Sequence, residues 1–546
     1  MESFPEARFF RNGDARELWQ RYCGFLDLSV EKFMDIQGYL LLEQLKLVRG
    51  APLGRKLLLG REPASVEEFR RTIPITSYDH YIPSIGQRQE DALSEKPYFW
   101  CHSSGRKGNF KWIPYTRAAF DRIARYVVAV GILAAADQRE QIRLSPRDRV
   151  LVNLTPRPYG SGSLIHHFAE YFPLRCIPPL EVAEEADFRK RTETAFKLAL
   201  DEGVDYIFSS STVLVKIAEI FANQESKLKF SSSVAHPRAF RRLAQAWLKS
   251  KLARRPMMPR DLWSAKGLIT FGVDTPLYER EIARLWGRVP YQVYGTTEML
   301  ISAVQGWNRR ALTFLPDVAF WEFIPQTEWQ KSREDPAYQP RTVLANELEA
   351  GKQYELVYTH FYGMPLMRYR IGDVFKVVAL EDAETGVRLP QVVFQARASE
   401  IIDMAGLTQI DKKTLWQALE NAGVQAEGWC ARKEYHQNAG YLRLYIELKD
   451  GSSVGVAQNG HRSRELESLL EEQLRAVDVD YRDLDGWLGQ KRSVTVTILA
   501  PQTFARYFDE QRAGGAPLAK LRPPHINPPE PVVSRLLELS SRNGGP

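Results

Sequence analysis

The stretch Val289-Pro-Tyr-Gln-Val-Tyr-Gly-Thr-Thr-Glu298 is the most informative part of this sequence for the fold. Its first half, Val289–Val293, is a short apolar run that predicts a buried strand. Gly295 then permits a tight turn at the carboxyl end of that strand. Because α/β sheets bind ligands at this edge, the residues after the strand form a candidate binding loop.

The polar side chains of this candidate loop suit a phosphate ligand. Thr296 and Thr297 can donate hydrogen bonds to phosphate oxygens. Glu298 is a hard carboxylate of the kind that holds Mg²⁺ beside a substrate phosphate. The alternative is a capping turn, in which one of the two threonines is the N-cap of a following helix.

Upstream of this loop, short apolar runs alternate with helical patterns. Further buried strands are predicted at Arg149–Leu154, Val204–Phe208 and Gly267–Phe271, and helical spacing of apolar residues is found at Glu31–Val48 and Phe188–Leu200. Strands that alternate with helices indicate an α/β fold with a largely parallel sheet.

Downstream of the loop the pattern changes twice. Between Arg341 and Ala379, short strands follow one another without helices, which indicates a β-rich subdomain. After Ala396 we expect a smaller α+β unit with two helices and two strands, at Lys412–Ala422, Arg462–Arg475, Tyr441–Leu448 and Ser493–Leu499. The predicted domains are therefore residues 1–396 and 397–546.

Composition indicates an ordinary globular protein, with 546 residues of which 44% are hydrophobic and 26% charged. The longest apolar stretch, Tyr126–Ala136, is shorter than the roughly 18 residues that cross a bilayer. The first residues lack the pattern of a signal peptide, so we expect a cytoplasmic protein without a membrane partner. The four cysteines lie far apart without CxxC spacing, which favours reduced thiols over zinc or disulfides.

The net charge is mildly positive at +7, but cations concentrate in one segment, Arg238–Arg260. Nucleic-acid binding is one interpretation of such a segment, and a solvated helix face is the other. No aromatic platform or known nucleic-acid motif accompanies the cations. We therefore expect a solvated helix face and no nucleic-acid partner.

A second candidate loop is Ser103-Ser-Gly-Arg-Lys-Gly-Asn-Phe-Lys-Trp-Ile-Pro114. Its glycines let backbone N–H groups approach an anion, and Ser103 and Ser104 add hydroxyl donors. Positive charge comes from three side chains, Arg106, Lys107 and Lys111. The spacing is not that of a P-loop, and the alternative is a plain Ser/Gly turn.

A third candidate is Tyr369-Arg-Ile-Gly-Asp373. Asp373 follows a glycine turn and can accept hydrogen bonds from both hydroxyls of a ribose, as acidic residues do in nucleotide sites. The alternative is an aspartate in a solvated loop.

The order and spacing of the three segments resemble the adenylate-forming superfamily of acyl-CoA synthetases, adenylation domains and luciferases. Within it the chain is more similar to the auxin-responsive (Gretchen Hagen) acyl acid amido synthetases and their bacterial relatives. That branch has an SSG loop ending in Lys-x-Ile-Pro, and three further matching segments here are Phe320–Pro325, Gly351–Val357 leading to Asp373, and Ile410–Lys412. The resemblance runs from about Tyr78 to Arg522.

The resemblance implies a large N-terminal adenylate-forming domain and a small, mobile α+β C-terminal lid. The N-terminal domain would combine α/β sheets with the β-rich subdomain. ATP would bind at the junction of the N-terminal domain and the lid, and the hinge would fall near Ala396–Ser399.

The resemblance also implies a role for each candidate residue. Ser103 and Ser104 would contact the ATP phosphates, and Asp373 would hold the ribose. Phe320 stands where the family places an aromatic ring beside the adenine. The segment along the adenine, the α-phosphate and Mg²⁺ would be Tyr294, Gly295, Thr296, Thr297 and Glu298.

A lysine of the lid normally contacts the α-phosphate during adenylation in this superfamily. The matching segment here is Leu518-Ala-Lys-Leu-Arg-Pro523, in which Pro and Arg are exchanged relative to the family ending. Lys520 is the candidate, and a surface lysine is the alternative. Lys520 and Glu298 are thus the predicted catalytic residues.

The implied activity is that of an ATP-dependent acid–amine ligase. A carboxylate would become an acyl-AMP, and an amine, by the family pattern an amino acid, would attack it to form an amide. One departure bears on this: Arg106 and Lys107 stand where the family has hydroxyl residues. They would either neutralise the β- and γ-phosphates or mark a site that binds without turnover. An acyl-CoA ligase is a further alternative.

The acyl pocket is predicted around Gly160-Ser-Gly-Ser163, where the superfamily often lines it. His166 and His167 are adjacent, so on a helix they point about 100° apart and cannot chelate one metal. The candidate substrate-binding residues are Tyr159, His167 and Phe168. The alternative for the histidine is a structural side chain.

Overall fold

The computed structural model describes residues 9–10, 13–102, 111–153, 156–184, 188–211, 213–215, 217–218, 237–271, 275–335, 337–397, 402–404, 408–436, 439–449, 459–478, 481–482, 494–513 and 525–541. Contacts divide the chain into two units. The N-terminal unit comprises Met1–Ile371 with Phe375–Phe394, and the C-terminal unit comprises Gly372–Val374 with Gln395–Pro546.

The N-terminal unit begins with four helices, three of which start at side-chain caps. They are α1 (Ala15–Cys23), α2 (Val30–Val48), α3 (Pro52–Leu57) and α4 (Val66–Thr72). Asp14, Ser29 and Ser65 accept hydrogen bonds from backbone N–H groups in the first turns of α1, α2 and α4, as N-caps do. An antiparallel strand pair follows, β1 (Phe99–His102) and β2 (Trp112–Tyr115). Short 3₁₀ helices lie at Gly24–Asp27, Tyr78–His80, Ile85–Gln87, Glu90–Ala92 and Ala345–Glu347.

Alternating helices and parallel strands come next, as the sequence predicts. The strands are β3 (Arg149–Asn153), β4 (Arg175–Ile177), β5 (Tyr206–Ser210), β6 (Gly267–Phe271) and β7 (Tyr291–Tyr294). Each hydrogen-bonded pair among these five strands is parallel. The helices are α5 (Arg117–Ala135), α6 (Gly160–Tyr171), α7 (Leu180–Ala183), α8 (Phe188–Glu202), α9 (Pro237–Leu252), α10 (Pro259–Leu262) and α11 (Thr275–Trp286).

The same sheet continues with strands that come mostly without helices between them. They are β8 (Ala303–Gln305), β9 (Leu312–Phe314), β10 (Ala319–Pro325), β11 (Gln353–His360), β12 (Tyr369–Ala379) and β13 (Gln391–Arg397), with α12 (Gln326–Glu334) after β10. The sheet has 11 strands in the order β10-β11-β12-β13-β9-β8-β7-β6-β5-β3-β4. β7 is thus the last parallel strand before the antiparallel half begins at β8.

The C-terminal unit has its own core. Its elements are β14 (Ile402–Met404), β15 (Thr408–Ile410), α13 (Lys412–Asn421), β16 (Ala426–His436), β17 (Ala439–Leu448), α14 (Asn459–Val477), β18 (Val494–Leu499), α15 (Thr503–Ala513) and α16 (Glu530–Ser541). β16, β17 and β18 form one sheet, and Trp429, Leu444 and Leu470 are buried in its core. Asp411 of the Ile410–Lys412 segment is the N-cap of α13, because its carboxylate accepts the Thr414 N–H at 2.7 Å.

The α/β fold class predicted from the sequence is confirmed, with several boundaries shifted. No strand forms between Arg341 and Lys352, where the alternation was expected to begin. The apolar run at Tyr126–Ala136 belongs almost entirely to α5, a helix that the sequence analysis did not predict. Among the described helices, none is both long enough and apolar enough to cross a bilayer. Residues 398–399 of the predicted hinge lie outside the described residues.

Candidate active site

The residues after β7 form a tight loop, Tyr294–Glu298, at the carboxyl end of the last parallel strand. Its backbone folds back on itself: the Tyr294 carbonyl accepts the Ser302 N–H at 2.9 Å, and the Thr296 carbonyl accepts the Leu300 N–H at 2.6 Å. A Cβ built on Gly295 would lie 1.8 Å from the Leu300 oxygen, so only glycine fits there. Leu300 itself has φ of 53°, a strained backbone conformation of the kind found at functional sites.

Side chains from distant parts of the chain support the two carbonyls at the end of this loop. The Tyr115 hydroxyl, at the end of β2, donates to the Thr297 carbonyl at 2.9 Å, and the Cys101 thiol contacts the same oxygen at 3.7 Å. His360, at the end of β11, places Nε2 at 2.8 Å from the Glu298 carbonyl. The loop is therefore held by three strands besides β7.

The protonation states of these supports follow from their burial. Burial lowers the pKa of His360 to about 3, so the ring is neutral at neutral pH. Its Nδ1 accepts the Leu366 N–H at 3.4 Å, which leaves the proton on Nε2, facing the Glu298 carbonyl. Burial likewise raises the pKa of Tyr115 and of Cys101, and the nearby Glu298 charge adds to both shifts. Both groups thus keep their protons.

The Glu298 carboxylate is buried and has one cationic neighbour that the structure describes. Lys111 Nζ lies 3.8 Å from Glu298 Oε1 and donates to the Tyr369 hydroxyl at 3.1 Å. The same ammonium group lies 5.4 Å from the ring centre of Tyr78. Burial raises the pKa of Tyr78 to about 12, with Glu298 as a smaller cause. Lys111 belongs to the second candidate loop, so the structure brings that loop's end to the Tyr294–Glu298 loop.

The amino end of α6 reaches the same loop. A Cβ built on Gly160 would lie 3.2 Å from both Cα and Oγ1 of Thr297, so the first residue of the helix approaches Thr297 closely. A helix N-terminus favours negative charge, because its first N–H groups are unpaired and the helix dipole is positive there. Thr296 Oγ1 is buried and finds no hydrogen-bond partner among the described residues. The loop thus combines an anion-favouring helix end with an available hydroxyl.

The predicted acyl-pocket residues lie on and next to α6, in different surroundings. The Tyr159 ring contacts the ring of His102 at 4.6 Å, one residue before Ser103. His167 stacks on Phe99 at 4.3 Å, and burial lowers the pKa of its ring. Phe168 is buried in the main core against Phe172. Their role in substrate binding stays a prediction. The ring packing of His167 and Phe168 is typical of structural residues.

Asp373 and Phe320 lie on neighbouring parts of the large sheet. Asp373 is buried in β12, two residues before Phe375, whose ring packs on Tyr294 at 4.8 Å. The alternative, an aspartate in a solvated loop, is therefore excluded, and the role in ribose binding stays a prediction.

Phe320 is buried in β10 and packs against Phe69 of α4. Its neighbour Trp321 points to the other side of the strand, toward Phe314 and the Tyr294 side of the sheet. The predicted place of Phe320 beside an adenine is not favoured by this packing.

The paired segments of the sequence form adjacent strands. Glu355 in β11 is buried and binds Arg370 in β12 through two hydrogen bonds of 2.7 and 2.6 Å. A bidentate pair of this kind fixes the two strands' side chains relative to each other. Ser103, Ser104, Arg106, Lys107 and Lys520 lie outside the described residues, so the structure places none of them.

Tyr115 and His360 are the supports that sequence reasoning missed. Tyr115 directly follows the Lys-x-Ile-Pro segment, and His360 lies seven residues after Gln353. Neither has a local signal, because each acts through a hydrogen bond to a residue 182 or 62 positions away.

Two family profiles match this chain. The profile of the GH3 family N-terminal domain matches residues 24–227, and that of the GH3 family central domain matches residues 312–397. Together they cover more than half of the sequence. The chain belongs to the GH3 family.

Curated members of the GH3 family match part of the chain. A probable indole-3-acetic acid-amido synthetase GH3.9 of Oryza sativa subsp. japonica is 28% identical over 236 residues, which are 41% of this chain and 49% of that protein. A jasmonoyl–L-amino acid synthetase GH3.5 from the same source is 27% identical over 42% of this chain and 38% of its own length. The chain thus spans half or less of the length of the curated relatives it matches.

Solved structures share the fold over almost the whole chain. The AtGH3.15 acyl acid amido synthetase in complex with 2,4-DB matches with a TM-score of 0.68 at 17% identity, over 96% of each chain. A 2-hydroxyisobutyryl-CoA ligase in the postadenylation state matches with a TM-score of 0.58 at 15% identity, over 94% of this chain and 93% of that one. The chain therefore shares the fold of these two enzymes, as the resemblance implies.

Proposed function

We propose that this protein is an acid–amine ligase that uses ATP to convert a carboxylic acid to an acyl-AMP and then transfers the acyl group to an amine. The observation that carries the proposal is the Tyr294–Glu298 loop. It combines a buried carboxylate, a threonine hydroxyl with no hydrogen-bond partner among the described residues, and a helix amino end at one edge of the sheet. Membership of the GH3 family supports the same reaction.

The reaction needs activation because a carboxylate has no good leaving group. A carboxylate oxygen attacks the α-phosphorus of ATP and pyrophosphate leaves, which yields the acyl-AMP. The amine nitrogen then attacks the acyl carbon, the bond to the AMP oxygen breaks, and the amine proton is released. The protein supplies positioning and charge stabilisation and no covalent nucleophile.

Residues of the loop divide the work of binding the phosphates. Thr296 and Thr297 donate hydrogen bonds to phosphate oxygens, with the α6 amino end adding its positive potential. Ser103, Ser104, Arg106 and Lys107 belong to the same proposal as phosphate contacts. Lys111 pairs with Glu298 in the absence of a cation, and its partly exposed ammonium group would turn to a phosphate when ATP binds.

A magnesium ion fits the donor set at Glu298. Mg²⁺ takes one or two carboxylates and completes its shell with water and phosphate oxygens. Among the described residues no group of three or more acidic, histidine or cysteine side chains could hold a metal alone, which suits a cation that arrives with ATP. Bound there, Mg²⁺ would neutralise phosphate charge.

Two further roles belong to the proposal: Asp373 binds the ribose, and Lys520 is the lid lysine that acts in adenylation. Phe320 is left out of the proposal, because its buried ring packs against Phe69. Residues 397–546 would form this moving lid, which shields the acyl-AMP from water. A cytoplasmic location stays a prediction.

The relatives' names give the substrate classes. One relative is named as a probable indole-3-acetic acid-amido synthetase and the other as a jasmonoyl–L-amino acid synthetase. For this chain we propose only the classes of substrate and no particular compound. They are a small carboxylic acid, whose pocket Tyr159, His167 and Phe168 would line, and an amino acid as the amine.

The test is acid-dependent exchange of labelled pyrophosphate into ATP, run over a panel of acids. Exchange that requires an acid supports adenylation, whereas exchange with none of the acids favours a protein that binds without turnover. A second candidate, an acyl-CoA ligase, is favoured by the shared fold of the 2-hydroxyisobutyryl-CoA ligase. Mass spectrometry of products with CoA against amino acids as acceptors separates the two.

A further inference from the structure

The face of helix α9 that packs against its neighbours consists mainly of small residues. Its buried residues are Ala239, Ala246 and Ser250, which lie within about 40° of one another on the helix at 100° per residue. Arg242 also turns inward, where its guanidinium donates to the Leu200 carbonyl of α8. Small residues let α9 lie close to the unit, and they leave the large side chains of the helix on the other side.

The outer face of α9 carries large apolar side chains in water. Trp247 is 53% exposed, Leu248 is 54% exposed and Leu252 is 77% exposed, and Phe240 is about half exposed as well. At 100° per residue these four side chains fall within an arc of about 140°, opposite the buried alanines. Such a contiguous apolar stripe on a surface helix marks an interaction site.

Positive charge surrounds this stripe without acidic compensation. Residues 237–260 contain eight arginines and lysines and no aspartate or glutamate. Arg241 and Lys251 lie within the apolar arc, and Lys251 Nζ is 5.9 Å from the Trp247 ring centre. Within the described part of the chain, Arg238, Arg241, Lys249 and Lys251 form no ion pair. Asp201 of α8 interacts with Arg242 instead, and Asp261 of α10 pairs with Arg255.

We propose that the outer face of α9 docks onto an anionic lipid surface, in place of the solvated face and the lack of a membrane partner expected from the sequence. A helix with Trp, Phe and Leu on one face and flanking Lys and Arg lies in the plane of the membrane interface. There the apolar side chains enter the acyl boundary, and the cations reach up to the headgroups. Binding of nucleic acid would explain the cations but not the exposed apolar side chains, because leucine side chains gain no binding free energy from contact with phosphates. An acidic protein partner is the alternative that the experiment separates.

Vesicle flotation with the full chain tests the docking. The protein should float with phosphatidylcholine vesicles that contain about 30% phosphatidylglycerol, and much less with phosphatidylcholine alone, because each cation near an anionic surface adds to the attraction. Trp247→Ser with Leu248→Ser, and separately Arg241→Glu with Lys251→Glu, should each lower the bound fraction at least about tenfold. The effect of salt should be large for the wild type.

A matched control uses exposed apolar residues elsewhere. Tyr39→Ser with Leu47→Ser changes two residues of α2 that are similarly exposed, and it should float like the wild type. All these positions are exposed, so thermal unfolding should stay near that of the wild type. Failure to float with anionic vesicles overturns the proposal. Equal flotation of the wild type and of all variants overturns it as well. If sedimentation shows a wild-type dimer that the Trp247 variant loses, and no protein binds lipid, the face is a protein interface and the proposal is again overturned.

Discussion

The Gly295→Ala variant tests whether the geometry of the Tyr294–Glu298 loop is required. The added Cβ would lie 1.8 Å from the Leu300 carbonyl oxygen, and such contacts are not found under 3.0 Å. The loop must therefore open by about 1.2 Å, and the displaced segment carries Thr296, Thr297 and Glu298. Misplacing reacting groups by about 1 Å costs roughly a hundredfold in rate, which is about 2.7 kcal/mol of activation free energy.

The assay is acid-dependent ATP–pyrophosphate exchange, measured as kcat/KM for ATP. Gly50→Ala is the control, because a Cβ on Gly50 meets nothing within 4 Å. Gly295→Ala should lose about a hundredfold while Gly50→Ala stays within about twofold. Thermal unfolding of both variants checks that the loss is local. A Gly295→Ala enzyme that exchanges at the wild-type rate would show that the loop does not position the reaction, and the assignment of the site would be wrong.

Four further variants address single contacts. Glu298→Gln keeps the side-chain shape and removes its charge, so exchange should fall at least about tenfold and need more Mg²⁺ in a titration; an unchanged Mg²⁺ dependence excludes Glu298 as the metal ligand. Tyr115→Phe removes the donor to the Thr297 carbonyl and should cost about 1–3 kcal/mol in urea unfolding, with a raised KM for ATP; no change in either contradicts the supporting role. His360 is protonated in the unfolded chain below its ordinary pKa of 6.5 and in the folded chain only near pH 3, so wild-type stability should fall as the pH drops from 7 to 5, by up to about 1.4 kcal/mol per unit. His360→Gln should lack that component, and equal pH dependence in both proteins refutes it. Lys520→Ala should reduce adenylation strongly and amide formation from supplied acyl-AMP less, whereas equal losses point to a structural lysine.

Local patterns predicted the parts of the fold that depend on local chemistry. Apolar runs with polar flanks predicted the strands β6 and β7, although Val289 at the start of the second run lies before β7 and is exposed. The glycine after β7 marks the turn. Local patterns do not predict which side of a strand faces a site, because that depends on which residues pair across the sheet. Phe320 pairs with Thr359 in a register that turns its ring toward Phe69, and no pattern in the Phe320–Pro325 segment shows this.

Long-range supports and surface faces were also beyond the sequence. Tyr115 and His360 have no local pattern because their hydrogen bonds join residues far apart in the chain. The cations of α9 were visible, and a solvated face was the natural interpretation. The tryptophan and the leucines are exposed because the opposite face of the helix packs inward. The structure shows this from the burial of the alanines, and the sequence pattern does not.

The transfer of one oxygen atom tests the central claim most directly. The chain is incubated with ATP, Mg²⁺, amino acids and a carboxylic acid that carries ¹⁸O in both carboxyl oxygens, and the AMP is weighed by mass spectrometry. Because the carboxylate oxygen attacks the α-phosphorus and leaves with it, each amide formed should release one AMP containing a single ¹⁸O, while pyrophosphate stays unlabelled. AMP without ¹⁸O, or ADP and phosphate in place of AMP and pyrophosphate, would contradict an acyl-AMP intermediate.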